Sequence, residues 1–276
     1  MLIATQMKNY CLSVLFVTDE NRVTFEDYAK QISARMFGKQ SPYLPQQDPI
    51  TIRPIGMIVE DLCQLADLNW AKYAFSREPL NGKFSDSQRL ELTQKAIDCG
   101  TKAADELIAK HGVHEPVELA RAMGVTVSYP DQPQNAERVL FAEFCPPQEI
   151  NIFMHAINQA NELLQEPVVA AMGQVCISDI LLGHELFHVV EEQQINEIWT
   201  RTHKIDLWSI GPIRNRSRIV VLSEIAAMGF SKRLNGLPYL PYVLDAFLVY
   251  GYSTDMASRL YEEMMGYADR EARLPM

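Results

Sequence analysis

Hydrophobic and polar positions recur with helical periodicity in two stretches near the start of the chain. Residues 25–37 and residues 55–75 each predict an amphipathic helix. Residues 41–54 are rich in proline and glutamine and predict a loop, and the polar residues 76–85 predict a linker. We therefore expect residues 1–84 to form a mixed N-terminal module, whose role the pattern does not reveal.

The second part of the chain opens with a helix start. Ser85 and Gln88 have the spacing of a capping box, in which each side chain binds the backbone N–H of the other residue. This helix should end shortly before Gly112. A short helix should follow, with Pro116 in its first turn and Gly124 just after its end.

Three short segments next have the composition and turn signals of strands, at residues 125–129, 138–144 and 149–155. Residues 158–166 predict a further helix, and the apolar residues 168–194 predict a long buried one. This order predicts an α+β fold that is mainly helical, with a small three-stranded sheet packed beside the long helix.

Charge sets limits on the partners of the protein. The 276 residues carry a net charge of −10, so the whole chain lacks the basic surface that nucleic acids require. One basic run, residues 214–218, is a local exception, and such a run is typical of a solvated helix start. We expect no direct contact with nucleic acid.

The cysteines and the apolar runs indicate where the protein works. The five cysteines are widely spaced and include no C-x-x-C pair, which favours free thiols in a reducing compartment. The apolar run at residues 12–17 is too short to span a membrane and lacks a cleavage site for a signal peptide. We therefore expect a cytoplasmic protein that does not associate with membranes.

Residues 184–188 read H-E-L-F-H and carry the clearest chemical signal in the chain. Residues four apart lie on one face of a helix, so His184 and His188 can bind one metal ion. Two imidazoles suit Zn²⁺, and Glu185 can accept a proton from the water that the metal activates. This pattern predicts a metallopeptidase, whereas the alternative is a metal-free helix with two ordinary histidines and a surface carboxylate.

A catalytic zinc usually takes three protein ligands, and Glu224 is our choice for the third. A carboxylate among apolar helical neighbours would be costly to bury, and a bound cation would offset that cost. The alternative is an ion pair between Glu224 and Arg218 or Arg233. The neighbours three and four positions away are Val220, Val221, Ala227 and Met228.

Other residues near the motif are weaker candidates for the third ligand. Glu191 is seven residues after His184, which is about 10.5 Å along a helix, so we expect Glu191 and the adjacent Glu192 to form a solvated helix end. His203 and Asp206, in the following segment, stay open as alternatives.

Three segments together resemble a known family. Residues 115–125 read E-P-V-E-L-A-R-A-M-G-V, residues 184–188 carry the two histidines, and residues 223–227 read S-E-I-A-A. In this combination, the chain from about residue 101 to residue 240 resembles the ImmA/IrrE group of bacterial zinc metallopeptidases.

The resemblance implies a zincin-like metallopeptidase domain over residues 85–276 with a gluzincin-type site. In that site His184, His188 and Glu224 bind Zn²⁺, and Glu185 is the general base. Members of the group are intracellular, and several cleave a helix-turn-helix repressor.

The expected activity is therefore hydrolysis of a peptide bond in a regulatory protein, such as a transcriptional repressor. A further donor should stabilise the oxyanion, and Arg201, His203 and Tyr239 are candidates. The alternative function is that of a regulatory or binding protein that keeps the zinc-peptidase fold with little catalytic turnover.

Overall fold

A computed structural model describes residues 50–132, 140–164, 167–210 and 213–268. The fold is mainly helical (62%) with a small three-stranded mixed sheet, which confirms the predicted α+β class. The helix predicted over residues 25–37 lies outside the described residues. None of the described helices has the length and apolar character needed to cross a membrane.

From residue 86 to residue 193, helices and strands follow one another in the predicted order, whereas the two strands at residues 204–218 were not predicted. The helices of the described residues are α1 (Ile55–Cys63), α2 (Ala71–Ser76), α3 (Asp86–His111), α4 (Pro116–Ala122), α5 (Met154–Leu163), α6 (Ile177–Gln193), α7 (Trp199–Thr202), α8 (Val221–Leu234), α9 (Val243–Tyr250) and α10 (Thr254–Tyr267). The strands are β1 (Thr126–Ser128), β2 (Ala142–Cys145), β3 (Glu149–Ile152), β4 (Lys204–Ile210) and β5 (Ile213–Arg218).

The three-stranded sheet has the order β1-β3-β2. β1 runs parallel to β3, with Thr126 opposite Glu149, whereas β2 runs antiparallel to β3, with Ala142 opposite Ile152. β2 and β3 pack against α6, so the sheet lies beside the helix that carries the two histidines. β4 and β5 form a separate antiparallel hairpin.

The predicted helix signals of α3 and α4 are confirmed. Ser85 Oγ accepts a hydrogen bond from the Gln88 N–H (3.3 Å), and Gln88 Oε1 accepts one from the Ser85 N–H (2.9 Å). Gly112 ends α3 with φ of 70°, a left-handed conformation that glycine adopts without strain. α4 begins at Pro116, and Gly124 follows its end.

Close contact between backbones fixes α8 against α3. A Cβ atom at Gly100 of α3 would overlap the carbonyl oxygen of Ala226 in α8. A Cβ at Gly229 of α8 would lie 2.8 Å from the carbonyl oxygen of Ile97 in α3. Each glycine therefore removes the side chain that would keep these two helices apart.

Residues 50–84 share one hydrophobic core with the helices that follow. Lys232 Nζ of α8 binds Asp67 Oδ2 (2.6 Å), and the carboxylate of the buried Glu78 accepts a hydrogen bond from the Val221 N–H (3.0 Å). Glu78 lies within the predicted linker, and its carboxylate satisfies a free N–H in the first turn of α8. An N-terminal module comprising residues 1–84 stays a prediction, because residues 1–49 lie outside the described residues.

Several predicted elements were wrong in extent or in type. The strand predicted over residues 149–155 ends at Ile152, and the helix predicted over residues 158–166 begins earlier, at Met154. The helix predicted over residues 55–75 ends at Cys63, because the chain turns there to bury Leu65 completely. The long helix predicted from residue 168 begins only at Ile177, since Gly173 has φ of 75°, which a continuous right-handed helix does not allow. The basic residues 214–218 belong to β5 rather than to a helix start, because they pair across the hairpin with β4.

Candidate metal centre

Two helices bring three ligand atoms together. His184 and His188 lie one turn apart on α6, and Glu224 lies in the first turn of α8. The two Nε2 atoms are 3.2 Å apart. Glu224 Oε2 lies 3.3 Å from His184 Nε2, and Glu224 Oε1 lies 3.7 Å from His188 Nε2. Within the described ranges, these three residues are the one group of histidine, cysteine or acidic side chains arranged to hold a metal ion.

The spacing and the chemistry of these atoms fit zinc. Ligand atoms about 2.0–2.1 Å from a tetrahedral zinc ion lie about 3.3–3.4 Å from one another. The distance between the two Nε2 atoms and the shorter distance to Glu224, 3.2 and 3.3 Å, match that tetrahedral edge, and the second oxygen of Glu224 lies slightly farther from His188, at 3.7 Å. Two imidazole nitrogens and one carboxylate oxygen also form a usual ligand set for a catalytic zinc, with a fourth position left for solvent or substrate.

The close approach of α6 to α8 depends on Gly183, which directly precedes the first histidine. A Cβ at this position would lie 2.9 Å from Asn235 Nδ2 and 3.1 Å from Ser231 Oγ, both on the α8 side. Ser231 Oγ donates a hydrogen bond to the carbonyl oxygen of Ile180 (2.6 Å), which ties the same two helices together. The missing side chain at Gly183 thus lets Glu224 reach the imidazole of His184.

Glu191 is buried beside the site, so the prediction that it forms a solvated helix end was wrong. Its Oε2 lies 3.4 Å from His188 Nδ1 and 3.2 Å from Arg201 Nη2. The hydroxyls of Thr200 and Ser223 also donate hydrogen bonds to this carboxylate. Glu191 therefore holds the ring nitrogen of His188 that faces away from the candidate metal position, as partners of zinc-bound histidines do.

The signal for this role of Glu191 was weak in the sequence. Its partners Thr200, Arg201 and Ser223 come from α7 and α8, and helical spacing alone does not reveal which later segments cover a residue. Glu192, the adjacent residue, is exposed as predicted.

The electrostatics of the site favour a cation. Burial lowers the pKa of His188, but the carboxylates of Glu224, Glu191 and Glu185 outweigh burial and raise this pKa to about 9. Burial raises the pKa of Glu191, yet its hydrogen bond to His188 and the charge of Arg201 lower this pKa overall. The acidic groups around the two histidines thus favour a positive charge, which a bound metal ion supplies in place of a proton.

Glu185 is buried close to the histidine pair. It is only 1% exposed. Burial, and then neighbouring carboxylates that include Glu185, raise the pKa of the Cys145 thiol on β2. The carboxylate of Glu185 is therefore near both His188 and β2, which forms one edge of the described three-stranded sheet.

The alternative ligands named from the sequence lie in other surroundings. Asp206 is exposed on the hairpin, where Arg216 Nε binds its carboxylate (2.8 Å). The ring of His203 stacks on Trp199 with centroids 5.0 Å apart. Neither residue belongs to the three-ligand group.

Arg218 and Arg233 are the alternative ion-pair partners of Glu224 that the sequence suggested. Arg233 binds Asp105 of α3 instead, with Nε 2.6 Å from Oδ1. Arg218 is exposed at the end of β5.

Two of the predicted oxyanion donors also have other partners. Arg201 binds Glu191, and the hydroxyl of Tyr239 donates a hydrogen bond to the carbonyl oxygen of Met172 (3.0 Å). His203, the third candidate, takes part in the stacking with Trp199.

Comparisons of the chain with family models, with characterised proteins and with solved structures found no match. The resemblance to the ImmA/IrrE group therefore stays a prediction from the sequence motifs. The chemistry of the site has to be judged from its geometry.

Proposed function

We propose that this protein is a zinc-dependent metallopeptidase with a zincin-like domain of the ImmA/IrrE type. His184, His188 and Glu224 bind Zn²⁺, and Glu185 is the general base. One observation carries the proposal: the Nε2 atoms of the two histidines lie 3.2 Å apart, and an oxygen of the Glu224 carboxylate, from a separate helix, lies 3.3 or 3.7 Å from each of them, close to the spacing of ligands around one tetrahedral zinc ion.

Each residue has a distinct task in this reaction. When bound, zinc supplies a Lewis acid that lowers the pKa of a water ligand toward about 7 and polarises the carbonyl of the substrate. Glu185 accepts the proton of the attacking water and passes it to the leaving amine. Glu191 holds the His188 ring in place through Nδ1, so that Nε2 faces the metal.

The described sheet offers a binding mode for the peptide. β2 is an edge strand and packs against α6, close to Glu185. An extended peptide can add to such an edge through backbone hydrogen bonds, which tolerate many side chains.

A regulatory protein, such as a helix-turn-helix repressor, is the substrate class that we favour. The enzyme's net charge of −10 suits a partner with a basic DNA-binding surface. Cys63, Cys99, Cys145 and Cys176 are free thiols, which supports placing the protein in the reducing cytoplasm.

The Glu185→Gln variant tests the proposal. We expect the wild-type protein to cleave an unfolded probe such as casein, or a purified helix-turn-helix repressor. This cleavage should stop when a chelator removes the metal. Glu185→Gln should keep its zinc and lose cleavage by about 100-fold or more, because the general base is absent. Glu192→Gln, a matched change at the exposed neighbouring glutamate, should cleave like the wild type.

Full cleavage by Glu185→Gln, or cleavage that continues without metal, would contradict the proposal. Repressor binding without any cleavage by the wild-type protein would instead favour the alternative of a regulatory protein with a zinc-peptidase fold.

A further inference from the structure

The imidazole of His184 has a second nitrogen whose partner the motif does not reveal. Its Nδ1 atom is buried and has no hydrogen-bond partner among the described residues. For His188 the equivalent nitrogen faces Glu191. The Nδ1 atom of His188 thus has a carboxylate partner, whereas the Nδ1 atom of His184 has none among the described residues.

A second buried acceptor, Asp245 of α9, also lacks a partner for one of its atoms. The Oδ1 atom of Asp245 is buried without a hydrogen bond in the described part of the chain. The other oxygen, Oδ2, accepts a hydrogen bond from the hydroxyl of Tyr73 (2.7 Å). Asp245 therefore has one oxygen anchored to α2 and one oxygen left to accept another donor.

Neighbouring groups favour the ionised form of Asp245, and burial opposes it. The guanidinium of Arg77 lies 3.7 Å above the ring of Tyr73, the residue that binds Asp245. Burial raises the pKa of Asp245 to about 6, although the charges of Arg77 and His184 and the hydrogen bond from Tyr73 act to lower it. The electrostatic effect of His184 on this pKa shows that the two side chains lie close enough to interact.

Binding of a metal to His184 creates the need for such an acceptor. When Nε2 binds the metal, the neutral imidazole carries its proton on Nδ1, which becomes a donor. A buried donor without an acceptor is unfavourable, and metal-bound histidines commonly donate to a carboxylate. Within the described residues, Asp245 is a partly buried carboxylate that interacts electrostatically with His184, and its Oδ1 atom is buried and has no partner.

We propose that Asp245 is the positioning residue of His184: its Oδ1 accepts the Nδ1–H hydrogen bond, directly or through one water, when the metal is bound. This role rests on the metal site proposed above. In this arrangement Glu191 of α6 holds the ring of His188, and Asp245 of α9 holds the ring of His184.

The zinc affinity of the full chain tests this role. Competition with a chromogenic chelator gives the zinc dissociation constant for the wild type, Asp245→Asn and Tyr73→Phe. Asp245→Asn should weaken zinc binding by about 10-fold to 100-fold, as loss of such a partner does in other zinc proteins. Tyr73→Phe is the matched control, because it removes the structural hydrogen bond of Asp245 and keeps the carboxylate; its zinc affinity should stay within about threefold of the wild type.

A measurement on the wild type covers the case in which Asp245→Asn does not fold. In the zinc-loaded protein, NMR should show the Nδ1–H proton of His184 as a resonance that exchanges slowly with solvent. A His184 proton that exchanges rapidly would overturn the proposal, because a buried carboxylate partner protects this proton.

The remaining outcomes separate this role from the proposed function. If the wild type binds no zinc, the proposed function fails and the role of Asp245 fails with it. If the wild type binds zinc and Asp245→Asn binds it within about twofold of the wild type, the metal site stands and the positioning role is overturned. An equal loss of affinity in Tyr73→Phe and Asp245→Asn would overturn it too, because Asp245 would then act only by holding α2 and α9 together.

Discussion

Glu191 illustrates how much one buried carboxylate can do at this site. It accepts hydrogen bonds from Thr200 and Ser223, pairs with Arg201 and faces His188 Nδ1. These partners come from three helices, so the carboxylate links α6, α7 and α8 around the candidate metal position. Removing one partner of a buried ion pair leaves the other charge without compensation, which destabilises the folded protein.

We predict that Glu191→Ala destabilises the metal-free protein by about 3–5 kcal/mol, the usual cost of breaking a buried ion pair. Arg201 and His188 would lose their carboxylate partner, and two hydroxyls would lose an acceptor. Urea unfolding of the metal-free chain gives the free energy of unfolding. Glu192→Ala, at the exposed neighbouring position, should change it by about 0.5 kcal/mol or less. Equal effects of the two substitutions would contradict a buried role for Glu191.

The sequence predicted the candidate ligands, but not the residues that support them. Helical spacing places His184 and His188 on one face, and the apolar neighbours of Glu224 indicate a carboxylate in need of a cation. Glu191 and Asp245 could not be assigned in this way, because their partners lie on α7, α8 and α2 and depend on how those helices pack.

At the scale of elements, the crossing of α3, α6 and α8 determines where Glu224 lies. Gly100 and Gly229 let the backbones of α3 and α8 touch, and Gly183 lets α6 approach α8. Glu78 accepts a hydrogen bond from the Val221 N–H, close to Glu224 in the same first turn. The position of Glu224 therefore depends on three glycines and on the buried carboxylate of Glu78.

The helix contact at Gly100 leads to a test. Gly100→Ala should lower the free energy of unfolding by about 1–3 kcal/mol or more, because its methyl group would overlap the carbonyl oxygen of Ala226. It should also weaken zinc binding, since α8 carries Glu224. Both quantities can be measured by urea unfolding and by chelator competition.

Gly266 in α10 provides a matched control for Gly100. No atom lies within 4 Å of a Cβ at this position, so Gly266→Ala should be neutral or should stabilise the protein by about 0.5–1 kcal/mol. A Gly100→Ala protein as stable as the Gly266→Ala protein would show that α3 and α8 are not held as closely as described.

Local signals predicted several elements correctly, and long-range contacts decided the others. The capping box of Ser85, the glycine after α3 and the start of α4 at Pro116 depend on neighbouring residues only, and all three are confirmed. The β5 strand was missed because three alternating arginines look like a solvated face until β4 lies opposite them. The late start of α6 depends on the left-handed Gly173, which periodicity does not reveal.

On the scale of the whole molecule, the described residues before α3 belong to the core that supports the site. Tyr73 of α2 binds Asp245, and Glu78 binds the start of α8. The predicted division at residue 84 therefore does not separate two cores within residues 50–268, and what residues 1–49 contribute stays a prediction. This arrangement could not be read from the sequence, because a proline-containing polar segment looks the same whether it links domains or packs into one.

We propose that α6 and α8 close around one metal ion, and the zinc content of the purified full-length chain gives a direct test. After exposure to zinc and removal of the excess, the wild type should retain one zinc ion per chain by elemental analysis. A His184→Ala/His188→Ala double variant that is folded by circular dichroism should retain none. Zinc-free wild-type protein, or a double variant that retains as much zinc as the wild type, would contradict the account.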